Sequence, residues 1–324
     1  MIKMGLIGIG RMGSYHLNLY DEIPSLRLTA LSDANEQILQ EKAKQFNVFS
    51  SSNFEDILDK VDAVTIAAPT KFHFEIARKC LEAKKHVLVE KPITTNFEEA
   101  VELFNIAEKN NLVLHIGHVE RFNGAVQELK KIVNNPYLIE SRRVGPYVER
   151  MKDDSIVLDL MIHDIDIILN VMNREVIDVE AKGSKVYSNL PDFASVTLVF
   201  DNNAIANILV SRVTQKKDRT MSISQEDAFI HLDYTSQDIN IYRKGLSQHI
   251  FGNKELTYKN EYILERLFVY KDNALKLEIK HFIDCIEGRK PRIVSVNHEL
   301  RSLKVALEVD RILKSKVGRC EVIS

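Results

Sequence analysis

The chain has 324 residues, which at roughly 100–200 residues per domain predicts two domains. Hydrophobic residues make up 45% and charged residues 28%, the balance of an ordinary globular protein, and 44 Lys+Arg against 46 Asp+Glu leaves a net charge of −2, which argues against a dedicated nucleic-acid binder. No apolar run approaches the roughly 18 residues of a membrane span, the run at 4–9 is too short for a signal segment, and Cys80, Cys285 and Cys320 form no CxxC pair and no His/Cys cluster. Neither a disulfide framework nor a structural zinc site is therefore indicated, and a cytoplasmic location is expected.

In chain order, residues 2–7 predict a buried strand and residues 11–22, before Pro24, a helix. Strand signals follow at 26–31, 63–67, 86–89 and 112–116, with helix signals at 36–46, 72–83 and 97–110. Short apolar strands alternating with helices predict a parallel sheet covered on both faces, a doubly wound α/β domain. The pattern changes after about residue 121, where helices are predicted at 122–133 and 158–172 and strands at 138–144, 176–187, 195–200, 204–213, 220–224, 229–232 and 239–242. Several alternate apolar and polar residues, as in Ser195-Val196-Thr197-Leu198-Val199-Phe200, which predicts an α+β domain with a large open, mostly antiparallel sheet. Leu198, Phe200, Ile205, Ile208 and Val210 are expected to leave an exposed apolar face that pairs with another copy. Helices at 273–287 and 298–316 close the chain.

The hexad Gly8-Ile9-Gly10-Arg11-Met12-Gly13 lies between the first predicted strand and the first predicted helix, the context in which G-x-G-x-x-G binds a dinucleotide. Gly8 permits the tight turn, Gly10 lets the backbone approach a pyrophosphate, and Gly13 allows close helix–strand packing. The helix N-terminus offers N–H groups and a positive dipole end to the phosphates. Asp33 ends the second strand, 20 residues after Gly13. A carboxylate there accepts hydrogen bonds from the adenosine ribose and repels a 2′-phosphate, favouring NAD over NADP. It could instead cap the following helix, unless Asn35 does so. The expected division is a Rossmann domain over 1–120 and a substrate-binding and oligomerisation domain over 121–324, whose last helix can pack back on the first domain.

Three further segments follow in order. Ala67-Ala68-Pro69-Thr70 with His73 comes after the third strand, Glu90-Lys91-Pro92 after the fourth, and Asp159-Leu160-Met161-Ile162-His163-Asp164 opens a helix in the second half. With the glycine hexad, this set resembles the Gfo/Idh/MocA family of sugar and cyclitol oxidoreductases over nearly the whole chain. The resemblance implies NAD, held by Gly8, Ile9, Gly10, Arg11, Met12, Gly13, Asp33, Ala68, Pro69, Thr70, His73, Glu90 and Lys91. It also implies Lys91, Asp159 and His163 as the active-site set. Those residue types suit oxidation of a secondary alcohol: a neutral His takes the hydroxyl proton as hydride leaves for the nicotinamide, Asp159 orients it, and Lys91 polarises the oxygen or relays the proton. Taken singly, Lys91 is an ordinary surface lysine, and His163 beside Asp164 and Asp166 a surface ion pair or a metal ligand. No metal is expected, because Asp159 and His163 alone share a helix face, short of the usual three or four ligands.

Two more stretches, Gly117-His118-Val119-Glu120-Arg121-Phe122-Asn123 and Arg142-Arg143-Val144-Gly145-Pro146-Tyr147 running on to Arg150, resemble the UDP-N-acetylglucosamine 3-dehydrogenases of that family. The resemblance implies oxidation of the sugar 3-hydroxyl to a 3-keto group, with a partner aminotransferase in some bacteria that use the 3-amino sugar in lipid A. It also implies face-to-face sheet packing in a homodimer or homotetramer. Guanidinium groups of Arg121, Arg142, Arg143 and Arg150 would bind the diphosphate. Alternation along a strand lets only one of Arg142 and Arg143 face a site, and a solvated basic edge strand reads the same. The chain departs from the family where many members have glycines, with Asp153-Asp154-Ser155-Ile156-Val157-Leu158. An inositol or simple-sugar dehydrogenase is the alternative within the family, and a non-catalytic NAD-binding regulatory protein the alternative outside it.

Overall fold

A computed structural model describes residues 1–252, 255–316 and 318–319, with side chains described outside residues 150, 246–261 and 316–324. The chain forms two compact units, Met1–Phe122 with Asp272–Leu307, and Asn123–Lys271 with the chain from Glu308 onward. Residues 272–307 thus group with the first unit.

In the first unit, six strands pair in parallel: β1 (Ile2–Ile7), β2 (Leu26–Ser32), β3 (Phe49–Ser51), β4 (Ala63–Ile66), β5 (His86–Glu90) and β6 (Leu114–Gly117). Their order is β3-β2-β1-β4-β5-β6, the doubly wound order, whose ligand crevice lies at the strands' C-terminal ends. The helices in sequence are α1 (Arg11–Tyr20), α2 (Glu36–Phe46), α3 (His73–Glu82), α4 (Phe97–Lys109), α5 (Gly124–Ile132), α6 (Ile162–Met172), α7 (Ala274–Ile286) and α8 (Val296–Lys316). On one sheet face Met4, Leu6 and Leu31 pack with Leu17 of α1, Leu39 of α2 and Leu275, Ile279, Phe282 and Ile283 of α7. On the other, Val64, Ile66, Val87 and Val89 pack with Ile76 and Cys80 of α3, Leu103 and Phe104 of α4 and Leu303 of α8. Each such side chain contributes roughly 1.5–3 kcal/mol when fully buried, which is why the late segment 272–307 belongs to this unit.

A buried bidentate ion pair adds to that attachment. Arg121 donates from Nη1 to Glu299 Oε1 at 2.8 Å and from Nη2 to Oε2 at 2.7 Å. Although burial alone would raise it, Arg121 holds the Glu299 carboxyl below its ordinary range. Arg121 is 5% exposed, so the residue expected to grip a substrate diphosphate is an internal cross-link instead.

The second unit adds β7 (Leu138–Val144), β8 (Val176–Lys185), β9 (Phe193–Phe200), β10 (Ile205–Ser211), β11 (Asp218–Ser224), β12 (Phe229–Asp233), β13 (Asp238–Gly252), β14 (Glu255–Leu267) and β15 (Gly318–Arg319). Among the described residues they form one sheet in the order β14-β13-β12-β11-β7-β10-β9-β8-β15. Neighbours are antiparallel except β10 with β7 and β15 with β8. Period-two alternation fixes the register: Leu198 faces Ala206, Val196 faces Ile208, and Ala194 faces Val210, all buried on one side. The apolar residues expected to be exposed are therefore mostly turned inward. Leu198, Phe200, Ile208 and Val210 are covered within the chain because they share the core side of the pleat, and only Ile205 is exposed. The opposite side carries a ring cluster, Phe229, Tyr242 and Tyr262, with successive centroids 5.9 Å apart.

The core side of β7 also carries charge. Arg143 is 2% exposed and donates from Nε to Asp164 Oδ2 of α6 at 2.5 Å, while Ser141 Oγ donates to Asp164 Oδ1 at 2.6 Å. The Arg143 guanidinium also lies over the Tyr234 ring, 4.9 Å from its centroid. This pair latches α6 to the sheet. Breaking it leaves Arg143 buried without its counter-charge, so Asp164→Ala should cost about 3–5 kcal/mol in urea unfolding. A loss below about 1 kcal/mol, the size of a surface pair, would show that the latch does not hold the helix.

Candidate functional site

The glycine turn is shaped by contact on two sides and by space on the third. Gly8 has φ +91°, and a Cβ there would lie 2.6 Å from the Ala68 nitrogen. A Cβ on Gly13 would lie 1.9 Å from the Gly8 carbonyl oxygen. Gly10, by contrast, would place its Cβ in open space, with nothing within 4 Å. Helix α1 begins at this position with no side-chain cap, whereas α2, α4, α5 and α7 are each capped by an asparagine side chain, at Asn35, Asn96, Asn123 and Asn273. The amides at Arg11, Met12 and Gly13 are those a bound pyrophosphate would use, and the open side of Gly10 gives it room, so the turn fits NAD. Arg11 is exposed and donates from Nε to Tyr15 Oη at 3.1 Å.

Asp33 does not cap α2. Asn35 does so, accepting from the amides of Gln37 and Ile38 at 3.1 and 3.2 Å. Asp33 Oδ2 accepts from the Ile9 amide at 2.6 Å and Oδ1 from the Asn35 amide at 2.7 Å, which ties the end of β2 to the glycine turn.

Two residues expected to touch the cofactor are buried and tie neighbouring elements together. His73 is 1% exposed, with Nε2 2.8 Å from the Ala68 carbonyl oxygen and Nδ1 2.8 Å from that of Pro92. It joins the loop after β4 to the loop after β5, where Pro69 is exposed and Thr70 and Lys91 are half-buried. Burial pushes its imidazole below the ordinary value despite the two carbonyls. Glu90 is 7% exposed, and its Oε1 lies 2.7 Å from His16 Nε2 on α1. A Cβ at Gly117 of β6 would come within 3.0 Å of Glu90 Oε2, so the glycine leaves the carboxylate its space.

Sequence reasoning missed the group beside this pair. Glu278 of α7 is 1% exposed, and neither carboxyl oxygen has a hydrogen-bond partner among the described residues. Burial, and then the charge on Glu90, raise its pKa well above the ordinary carboxyl value. No sequence signal marks it, because a glutamate on a helix reads as a solvated residue.

In the second unit, Asp159 lies in a π-helical turn, Val157–Met161, that runs directly into α6 carrying His163. Both are half-buried, while Val157, Leu158, Met161, Ile162 and Asp164 around them are buried. Single π turns recur at functional sites, where they re-aim side chains. The departure from family glycines acquires a purpose here. Ser155 Oγ accepts from the amides of Val157 and Leu158 at 3.2 and 3.4 Å and also hydrogen-bonds Asp310. Arg142 and Arg143 point to opposite faces, as alternation requires: Arg142 is exposed and paired with Asp218 at 3.1 Å, while Arg143 is the internal latch on Asp164 and no phosphate grip. The side chain of Arg150 lies outside the described residues.

Two outcomes follow from this geometry. Gly10→Val should weaken NAD binding at least tenfold by titration while leaving the thermal transition nearly unchanged, whereas Gly13→Val should lower the transition itself; equal effects on both would refute the division between space and contact. For Glu278, the folded carboxyl keeps its proton to higher pH than the unfolded chain does. Between those two pKa values the folded state binds the extra proton, so stability falls as pH rises from about 4.5 upward. Glu278→Gln, which mimics the protonated form, should match the parent near pH 4.5 and exceed its melting temperature increasingly toward pH 8. A constant difference across that range would mean the carboxyl does not titrate abnormally.

Comparison with known proteins agrees with these features. A family model described as "Oxidoreductase family, NAD-binding Rossmann fold" matches residues 2–118, and the GFO/IDH/MocA C-terminal domain matches residues 122–231. A UDP-N-acetylglucosamine 3-dehydrogenase of Acidithiobacillus ferrooxidans is 31% identical over 311 residues, 95% of this chain and 96% of the relative. Its solved structure superimposes with a TM-score of 0.86, covering 97% of this chain and 98% of that one. A myo-inositol 2-dehydrogenase of Thermotoga maritima is 29% identical, covering 97% of both chains. The chain belongs to the Gfo/Idh/MocA family and is an NAD-type sugar oxidoreductase.

Proposed function

We propose that the substrate is a nucleotide-linked amino sugar, UDP-N-acetylglucosamine, oxidised at its 3-hydroxyl. The observation that carries this reading is the likeness, along almost the full length of both chains, to the Acidithiobacillus enzyme named for that reaction. NAD supplies the hydride acceptor when bound. The acidic Asp33 at the end of β2 favours it over NADP. In this reading His163 takes the hydroxyl proton on an imidazole nitrogen, Asp159 one helical turn earlier orients it, and Lys91 at the C-terminal end of β5 polarises the substrate oxygen. The family's sheet-to-sheet pairing of copies would use the outer face carrying Phe229, Tyr242 and Tyr262.

A second reading, an inositol dehydrogenase, draws support from the Thermotoga relative and from the burial of Arg121 and Arg143 on carboxylates, which removes two of the four arginines expected to hold a diphosphate. Following NADH formation with UDP-N-acetylglucosamine, other UDP-sugars, inositols and free hexoses side by side separates the readings. The nucleotide sugar should give the highest kcat/KM, and preference for an inositol would overturn the first reading. His163→Ala should lower turnover with the best substrate about 100- to 10,000-fold while leaving NAD affinity unchanged. Near-normal turnover in that variant would place the base elsewhere.

A further inference from the structure

Three metal-ligating side chains, none of them given a role above, meet at the β6 edge of the first unit, beside the Arg121–Glu299 pair. His115 of β6 and His281 and Cys285 of α7 each present one ligand atom, and the three atoms lie within 4.8 Å of one another. His281 and Cys285 are one helical turn apart and so share a face of α7. Cys285 Sγ and His281 Nε2 are 3.5 Å apart. With Zn–S about 2.3 Å and Zn–N about 2.0–2.1 Å, tetrahedral geometry separates a sulfur and a nitrogen ligand by about 3.5 Å, so this edge already has the length of a zinc site. The His115 and His281 rings stack with centroids 5.5 Å apart and an interplanar angle of 20°. Closing the widest pair by at most about 1.5 Å completes the triangle.

The site is reachable from outside. The nearest positive charges lean on two shared carboxylates: Arg292 pairs with Glu299 at 3.3 Å beside Arg121, and Lys290 with Asp284 at 3.1 Å beside Arg289. His281 and Cys285 are only half-buried, which leaves a way in and room for water as a fourth ligand.

We propose that His115, His281 and Cys285 form a three-ligand site for a zinc-class divalent cation that fastens α7 to β6. On binding, the Cys285 S–H bond breaks, a metal–thiolate bond forms and the proton leaves to solvent. Protein freed of metal with a chelator and kept reduced is titrated with Co²⁺ and then Zn²⁺. One Co²⁺ per chain should bind with a thiolate-to-cobalt charge-transfer band in the near ultraviolet, and Zn²⁺ should displace it. Cys285→Ser should abolish the band. His281→Gln should weaken Zn²⁺ binding at least about 100-fold, since altering the partners of ligands alone costs about 10–100-fold. Unchanged NAD affinity in both variants shows that they are folded. Absence of the band in the unaltered chain, or a band that survives Cys285→Ser, overturns the site and leaves only a stacked histidine pair beside a thiol.

Discussion

Much of the first unit turns on a single buried hydrogen bond, between the Glu90 carboxylate at the end of β5 and His16 on α1. Helix α1 must start at the glycine turn to present its amides, and β5 must end where Lys91 emerges. The Glu90–His16 contact fixes one relative to the other. Its demands spread outward: residue 117 is held to glycine because a Cβ would press on Glu90, and Glu278 is denied its charge by burial and the neighbouring carboxylate. A hydrogen bond to a charged group contributes about 1.5–3 kcal/mol net, and more is lost when the partner is left buried alone. Three neighbouring positions are thus constrained through one carboxylate.

The same economy appears in how the loops are tied. His73 spans the carbonyls after β4 and β5, and Asp33 spans the amides of Ile9 and Asn35. Neither arrangement resembles a solvated loop. In each, a side chain satisfies backbone groups that strands no longer serve, and so sets the rim of the crevice on which a cofactor lies. The second unit uses charge in the same way, with Asp164 between Arg143 and Ser141 holding the helix that carries His163.

The alternation of short apolar strands and helices was legible because burial on both faces leaves a continuous apolar signature, and the glycine turn because its steric demands admit few residues. The antiparallel sheet was legible through its period of two. Three things were not. Strand β3 is three residues, Phe49-Ser50-Ser51, without an apolar pattern. Strand β14 lies at the sheet edge with residues 262–266 all exposed, so that stretch had no buried face to alternate with. The partners of buried charges were the third: Arg121 meets Glu299, and Arg143 meets Asp164, through pairings that sequence distance conceals. An arginine looks alike in sequence whether it awaits a phosphate or already holds a carboxylate.

The segment before the π turn is held from several directions. Arg212 donates from Nη1 to the Met151 and Asp154 carbonyls and from Nε to Asp192 Oδ1, and Ser155 is tied to Asp310. Asp192 in turn accepts the amides of Val186, Tyr187 and Ser188. Burial alone would raise its carboxyl, but the Ser188 and Val186 amides lead the contacts that hold it down to about 2. Acidification of the ordinary kind leaves this knot tied. A stretch anchored in this way is a wall more than a door: its course is set by the backbone groups that hold it, so exchanging the side chains it carries would alter its outline while its course stayed put.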